Sequence, residues 1–147
     1  MTVALDARDD TGSTLPLTIF FGFLATVLVL VVVAATSLYL ERKRLFTLAD
    51  GAALVGAEAY ALGDVRATAS GVRSSLASRE VAAAVGEYLS TAPTDEFADL
   101  RLERAESADG HSATVELSAY WRPPVLTLLL PEGLRIEVTS VARSVFS

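Results

Sequence analysis

The sequence predicts an α+β protein. A long N-terminal transmembrane helix continues into a helical stalk, followed by a small C-terminal head of one short helix and a three-stranded antiparallel sheet. Three observations predict it. No charged residue falls between Thr11 and Leu40. Apolar residues then recur at spacings of three and four as far as Leu62, and from Leu100 onward the period changes to two. The implied organisation is an N-terminal tail over 1–14, a transmembrane helix over 15–40, a helical extension over 41–63 and a small α+β head over 64–147.

Composition fits an anchored chain. The 147 residues have room for one small domain besides an anchor. Hydrophobic residues make up 52% of the chain and the mean hydropathy is +0.44, high for a water-soluble domain. Net charge is −6 and Lys43 is the sole lysine, so there is no basic face for nucleic-acid phosphates. Cysteine is absent, which excludes disulfides, thiolate metal sites and Cys nucleophiles.

Leu17 to Leu40 reads LTIFFGFLATVLVLVVVAATSLYL. As a helix these residues reach roughly 36 Å, against about 30 Å of bilayer hydrocarbon. The favourable insertion of its many Leu, Ile, Val and Phe side chains outweighs the cost of Thr18, Thr26, Thr36 and Ser37, whose hydroxyls can bond back to the helix. Tyr39 suits an interface. Two other readings compete. A buried core helix of this length needs a larger surrounding domain. A cleaved secretory signal has an apolar run of about 7–15 residues preceded by positive charge. Here the run is longer and Asp6, Arg8, Asp9 and Asp10 are net acidic, although Ala34 and Ala35 resemble a cleavage site. By the positive-inside rule, Arg42, Lys43 and Arg44 against Arg8 place the C-terminal part in the cytoplasm.

Beyond the span, Leu45, Leu48, Ala52, Val55, Ala59 and Leu62 share a helix face. Ala49, Ala53 and Gly56 form a second stripe that admits close approach of another backbone. Two partners fit these packing residues: the chain's own head, or sister helices in an assembly. Gly63 is the expected C-terminal cap. Asp64 to Ala77 reads as a loose helix or connector. A short helix then starts at Ser78 as N-cap, with Val81, Val85, Tyr88 and Leu89 on one face, and ends before Pro93.

Leu100 and Leu102 alternate with Arg101 and Glu103. After the Asp109-Gly110 turn, Ala113, Val115, Leu117, Ala119 and Trp121 alternate with polar residues, a hairpin signal. Pro123-Pro124 stops that strand, Val125 to Leu130 is an apolar connector, and Pro131-Glu132-Gly133 forms a turn. Leu134, Ile136 and Val138 alternate with Arg135, Glu137 and Thr139 in a third strand.

Gly12-Ser13, Leu15-Pro16-Leu17, the apolar span and above all YLERKRLFTLADGAALVGAEA (Tyr39 to Ala59) resemble the N-terminal module of the TadE/TadG-like proteins of Flp (tight-adherence) pilus assembly. The matching elements are Tyr39-Leu40, Arg42 with Arg44, Leu45, and Ala49-Asp50-Gly51-Ala52-Ala53-Leu54-Val55-Gly56-Ala57. The likeness covers about 45 residues. It departs at Ala34 and Ser37, where members often carry Asp and Arg, and at Phe46, where Gln is common. Processed pilins are cleaved after a Gly with a Glu five residues on; Gly12 has Leu17 there. The resemblance therefore implies a pilin-like, uncleaved accessory protein with its head outside the cytoplasm, opposite to the charge bias. The partners it implies are the bilayer and other pilus or secretion-system membrane proteins, another copy of the chain among them.

No catalytic constellation is legible, and neither cofactor, metal site nor small-molecule substrate is expected. His111, the sole histidine, follows a turn. Asp95, Glu96 and Asp99 match no calcium loop, and Ser74-Ser75 lacks nucleophile-elbow glycines. Asp50 has Arg42 and Lys43 as candidate ion-pair partners on its own helix. The expected function is non-enzymatic: a minor-pilin-like accessory component acting by protein–protein contacts. The alternative is an anchored binding or sensing module with its sheet as the ligand face.

Overall fold

The computed structural model describes residues 14–64, 73–123 and 131–143. Gly12, the connector over 65–72 and the apolar run over 125–130 lie outside the described residues. The chain divides into two compact units, Met1–Val33 and Ala34–Ser147. Helix α1 runs over Leu15–Asp64, close to the limits that the apolar periodicity predicts.

In the first unit, α1 presents large apolar side chains outward, among them Leu15, Phe20, Phe23 and Leu28. It is the one helix among the described residues long and apolar enough to cross a membrane by length and composition. Its exposure removes the reading in which it forms the core of a soluble domain. Its hydroxyls are satisfied locally: Thr18 Oγ1 donates to the Thr14 carbonyl at 3.0 Å and Thr26 Oγ1 to the Gly22 carbonyl at 2.9 Å. This back-bonding lets Thr sit in an apolar helix without an orphaned donor.

The second unit contains the rest of α1, then α2 (Arg73–Thr91), β1 (Ala98–Glu106), β2 (Ser112–Trp121) and β3 (Leu134–Arg143). The strands form one antiparallel sheet in the order β1-β2-β3. An α+β head is therefore what the change of period from helical to alternating produces. Helix α2 begins five residues ahead of its expected cap. Ser78 lies inside it, donating to the Ser107 carbonyl at 3.3 Å and accepting from the Ser107 N–H at 3.4 Å. A hydroxyl that a sequence pattern assigns to a helix terminus here ties helix to sheet.

Strand β2 turns Ala113, Val115, Leu117 and Ala119, all fully buried, to one face, and its burial alternates except at Ser118, which is buried on the other face. β3 pairs with β2 residue for residue from Leu134↔Trp121 to Arg143↔Ser112. β1 does not. Its register against β2 slips between Ala98 and Arg101 and again between Leu102 and Arg104. The second slip sets Leu102 opposite Leu117 and Ala105 opposite Val115, although three residues separate them on β1 and two on β2. The extra residue, as in a bulge, keeps both paired with inward residues of β2; Ala105 packs against the core there, while Leu102 stays exposed at the edge. Bulges also roughen an edge against strand addition.

The core lies between sheet and helices. Leu45, Ala49, Ala52, Ala53 and Ala57 of α1 meet Val81 and Val85 of α2 and the inner residues of β2, with Val138 from β3. Each buried Leu or Val contributes roughly 1.5–3 kcal/mol by leaving water. Gly133 has φ of +75°, and a side chain there would meet the Trp121 carbonyl oxygen, so the turn into β3 requires glycine.

Candidate functional site

The structure gathers the packing residues of α1 onto the chain's own head. Leu45, Leu48, Ala49, Ala52 and Ala53 are buried, Gly56 is covered, and Val55 and Ala59 are half-buried. A Cβ added at Gly56 would stand 3.1 Å from Val81, 3.2 Å from Ala113 and 3.3 Å from Val85. The small-residue stripe thus lets α1, α2 and β2 close together. Of the two partners that the sequence leaves open for the stripe, the chain's own head is the one seen here, with Ala49, Ala53 and Gly56 facing atoms of the same chain.

Polar anchors reinforce this packing. Asp50 Oδ1 accepts the Ser140 hydroxyl at 3.0 Å, in place of the expected pairing with Arg42 or Lys43. Ser140 is buried and Asp50 exposed, so the carboxylate meets both the sheet and water. Trp121, at the end of β2, donates its indole N–H to Ser37 Oγ at 3.2 Å. Arg44 pairs with Glu96 at 3.3 Å. Sequence spacing signals none of these, since the partners lie 52 to 90 residues apart.

The outer face of the sheet is polar. Ser118 is fully buried there because Arg135 and Glu103 close over it. Ser118 donates to Glu103 Oε1 at 2.6 Å, and Arg135 donates to both while lying 5.6 Å from the Tyr120 ring centre. The Ser118 hydroxyl holds the Glu103 carboxyl below its ordinary pKa; partial desolvation opposes it, and the positive charges of Arg135 and Arg101 add to the lowering.

The β1–β2 turn is fixed by Asp109. Its Oδ1 accepts from the His111 N–H at 2.9 Å, the Ser112 N–H at 2.7 Å and the Ser112 hydroxyl at 2.7 Å. The His111 N–H, then the Ser112 hydroxyl and N–H, keep this carboxyl far below its usual range. His111 is exposed on the turn. Of the Asp95, Glu96 and Asp99 cluster, Asp99 turns to Arg101 at 3.0 Å and Glu96 to Arg44.

A groove of about 460 Å³ opens between α1 and the segment joining α2 to β1. Leu40, Leu48, Pro93 and Phe97 supply apolar wall, with Lys43 and Arg44 among its polar residues.

No curated protein and no solved structure matches the chain. One family does, over about a third of the length, across the apolar run and the part of α1 that carries the head. Residues 12–59 match the model of the Flp pilus-assembly TadE/G-like family.

Proposed function

We propose that this protein is a membrane-anchored, non-enzymatic accessory component of a Tad/Flp-type pilus assembly or secretion system, minor-pilin-like in build. The observation carrying this reading is the coincidence of the family match at residues 12–59 with an apolar helix whose side chains, Leu30 apart, stand exposed from Leu15 to Val33. Exposed Leu, Val and Phe side chains in such number are favourable in lipid and costly in water. The first part of the module fixes the chain in the cell membrane, and the second part builds the head it displays. Work is done by protein–protein contacts with other pilus or secretion-system proteins, or with further copies of the chain, through surfaces left over after α1 has packed on its own sheet.

The head faces away from the cytoplasm in this proposal. The charge bias that opposes it is small, three basic residues after the span against Arg8 before it. The test has four parts. The native protein resists carbonate extraction. Its N-terminal sequence, read after extraction, retains the residues before Leu17. A C-terminal alkaline-phosphatase fusion is active, and loss of the gene lowers the yield of surface pili. Recovery of a soluble form lacking roughly the first 35 residues would establish signal cleavage instead.

A further inference from the structure

We propose that the groove between α1 and the α2–β1 connection is a binding site for one anionic phospholipid of the membrane that holds the protein. The inference rests on the anchored reading above.

The groove has two chemical halves. Leu40, Leu48, Pro93 and Phe97 give it an apolar wall, and Lys43 and Arg44 stand at it as cations with Glu96 as the one carboxylate. Lys43 has no ion-pair partner among the described residues. Arg44 reaches Glu96 at 3.3 Å, but both side chains are more than half exposed. Such a pair is worth little, so the guanidinium can share itself with a phosphate. An apolar wall beside two cations fits an amphiphile with a negative head.

Place in the sequence selects the membrane as its source. Leu40 ends the uncharged run and also lines the groove, and Lys43 and Arg44 follow within its next turn. In an anchored chain these residues follow the apolar run directly, so an ammonium and a guanidinium stand where the phosphate of an anionic lipid of the adjoining leaflet can pair with them. At about 460 Å³ the groove is within the size range of small-molecule sites. It can take a phosphate, its glycerol and the first methylenes while the acyl chains stay in the bilayer.

The full chain is reconstituted into nanodiscs of phosphatidylcholine and phosphatidylglycerol in equal parts, and the lipids that remain bound after release are identified by native mass spectrometry. The expected result is retention of one phosphatidylglycerol. The double variant Lys43→Glu with Arg44→Glu reduces that retention by roughly tenfold or more. Arg42→Glu, a charge reversal beside the groove but not lining it, retains the lipid. Unchanged Trp121 emission verifies that each variant is folded. Equal retention of both lipids, an unaffected double variant, or an equal loss in Arg42→Glu overturns the site. Carbonate resistance is measured on the same samples: a chain that stays inserted without retaining phosphatidylglycerol refutes the groove alone, whereas one that is stripped refutes the anchor and the groove together.

Discussion

Ser140 of β3 donates its hydroxyl to Asp50 Oδ1 of α1 at 3.0 Å, across 90 residues of chain. The bond joins β3 to the C-terminal part of the segment that matches the TadE/G-like family. It stands at the edge of a contact in which Ala49, Ala52 and Ala53 are completely buried. The module thus serves as one wall of the head as well as carrying the apolar helix. A carboxylate at this place gives the small-residue contact a defined register, since Ala against Ala and Val offers little to resist sliding.

Removing the acceptor tests that relationship. Asp50→Ala leaves the Ser140 hydroxyl, 5% exposed, without its partner, and the expected cost is about 1–2 kcal/mol in urea unfolding. Ser140→Ala costs less, because the exposed carboxylate recovers water. The double variant is no less stable than Asp50→Ala alone, so a double-mutant cycle gives a coupling of about 1 kcal/mol. Strict additivity would show that the bond contributes nothing.

Much of the architecture was legible because it depends on local periodicity. Val115 and Leu117 announce an inward face of β2 by alternation, and Leu45, Leu48 and Ala52 announce a buried face of α1 by helical spacing. What escaped is whatever depends on a remote partner. The slips that align Leu102 and Ala105 with Leu117 and Val115 are properties of a pair of strands, not of either one. Ser78 has the chemistry of an N-cap, and only the nearness of Ser107 reveals its other use. Asp50 has cations on its own helix, yet its partner comes from β3. The stripe of Ala49, Ala53 and Gly56 is likewise ambiguous in sequence, because a close-packing surface looks the same whether the neighbour is the chain's own sheet or a second molecule.

Gly56 separates those two uses. Gly56→Ala gains about 1 kcal/mol of helix propensity. Against this, its methyl would press on Val81, Ala113 and Val85 at 3.1–3.3 Å, so the net change is within about 1 kcal/mol of wild type. Gly56→Leu has no room and is expected to destabilise the head by roughly 1–3 kcal/mol or more in thermal or urea unfolding. If Gly56→Leu left the head's stability unchanged while abolishing contacts to neighbouring proteins, the stripe would face outward after all.

Trp121 reports on the end of β2. It is 7% exposed and the sole tryptophan, so its emission is expected at short wavelength in the folded chain and shifts to the red on unfolding. Trp121→Phe keeps most of the apolar contact and removes the indole N–H that reaches Ser37, for a loss of about 1–2 kcal/mol. Trp121→Ala empties the site and costs roughly 3–5 kcal/mol. Ser37→Ala should red-shift the folded emission little, since the ring remains covered. A large red shift would mean that the hydrogen bond, and not packing, holds the ring.

Acid sensitivity follows from Asp109. Three donors from His111 and Ser112 hold its carboxyl far below the ordinary Asp value of about 3.9. A depressed folded pKa contributes stability that is complete above the unfolded value and is lost as pH falls towards the folded one. Glu103, lowered by Ser118 and Arg135, acts in the same direction. The melting temperature is therefore expected to stay level from pH 7 to about 5 and to decline below about 4. Asp109→Asn keeps an acceptor but no titrating charge. It should melt a few degrees lower at pH 7, where the carboxylate is the stronger acceptor, and lose less on acidification, so the gap between the two curves narrows steadily as the pH falls below about 4. Parallel curves would assign the acid transition to another carboxyl group, and an unchanged melting point at pH 7 would mean that the turn holds without its charge.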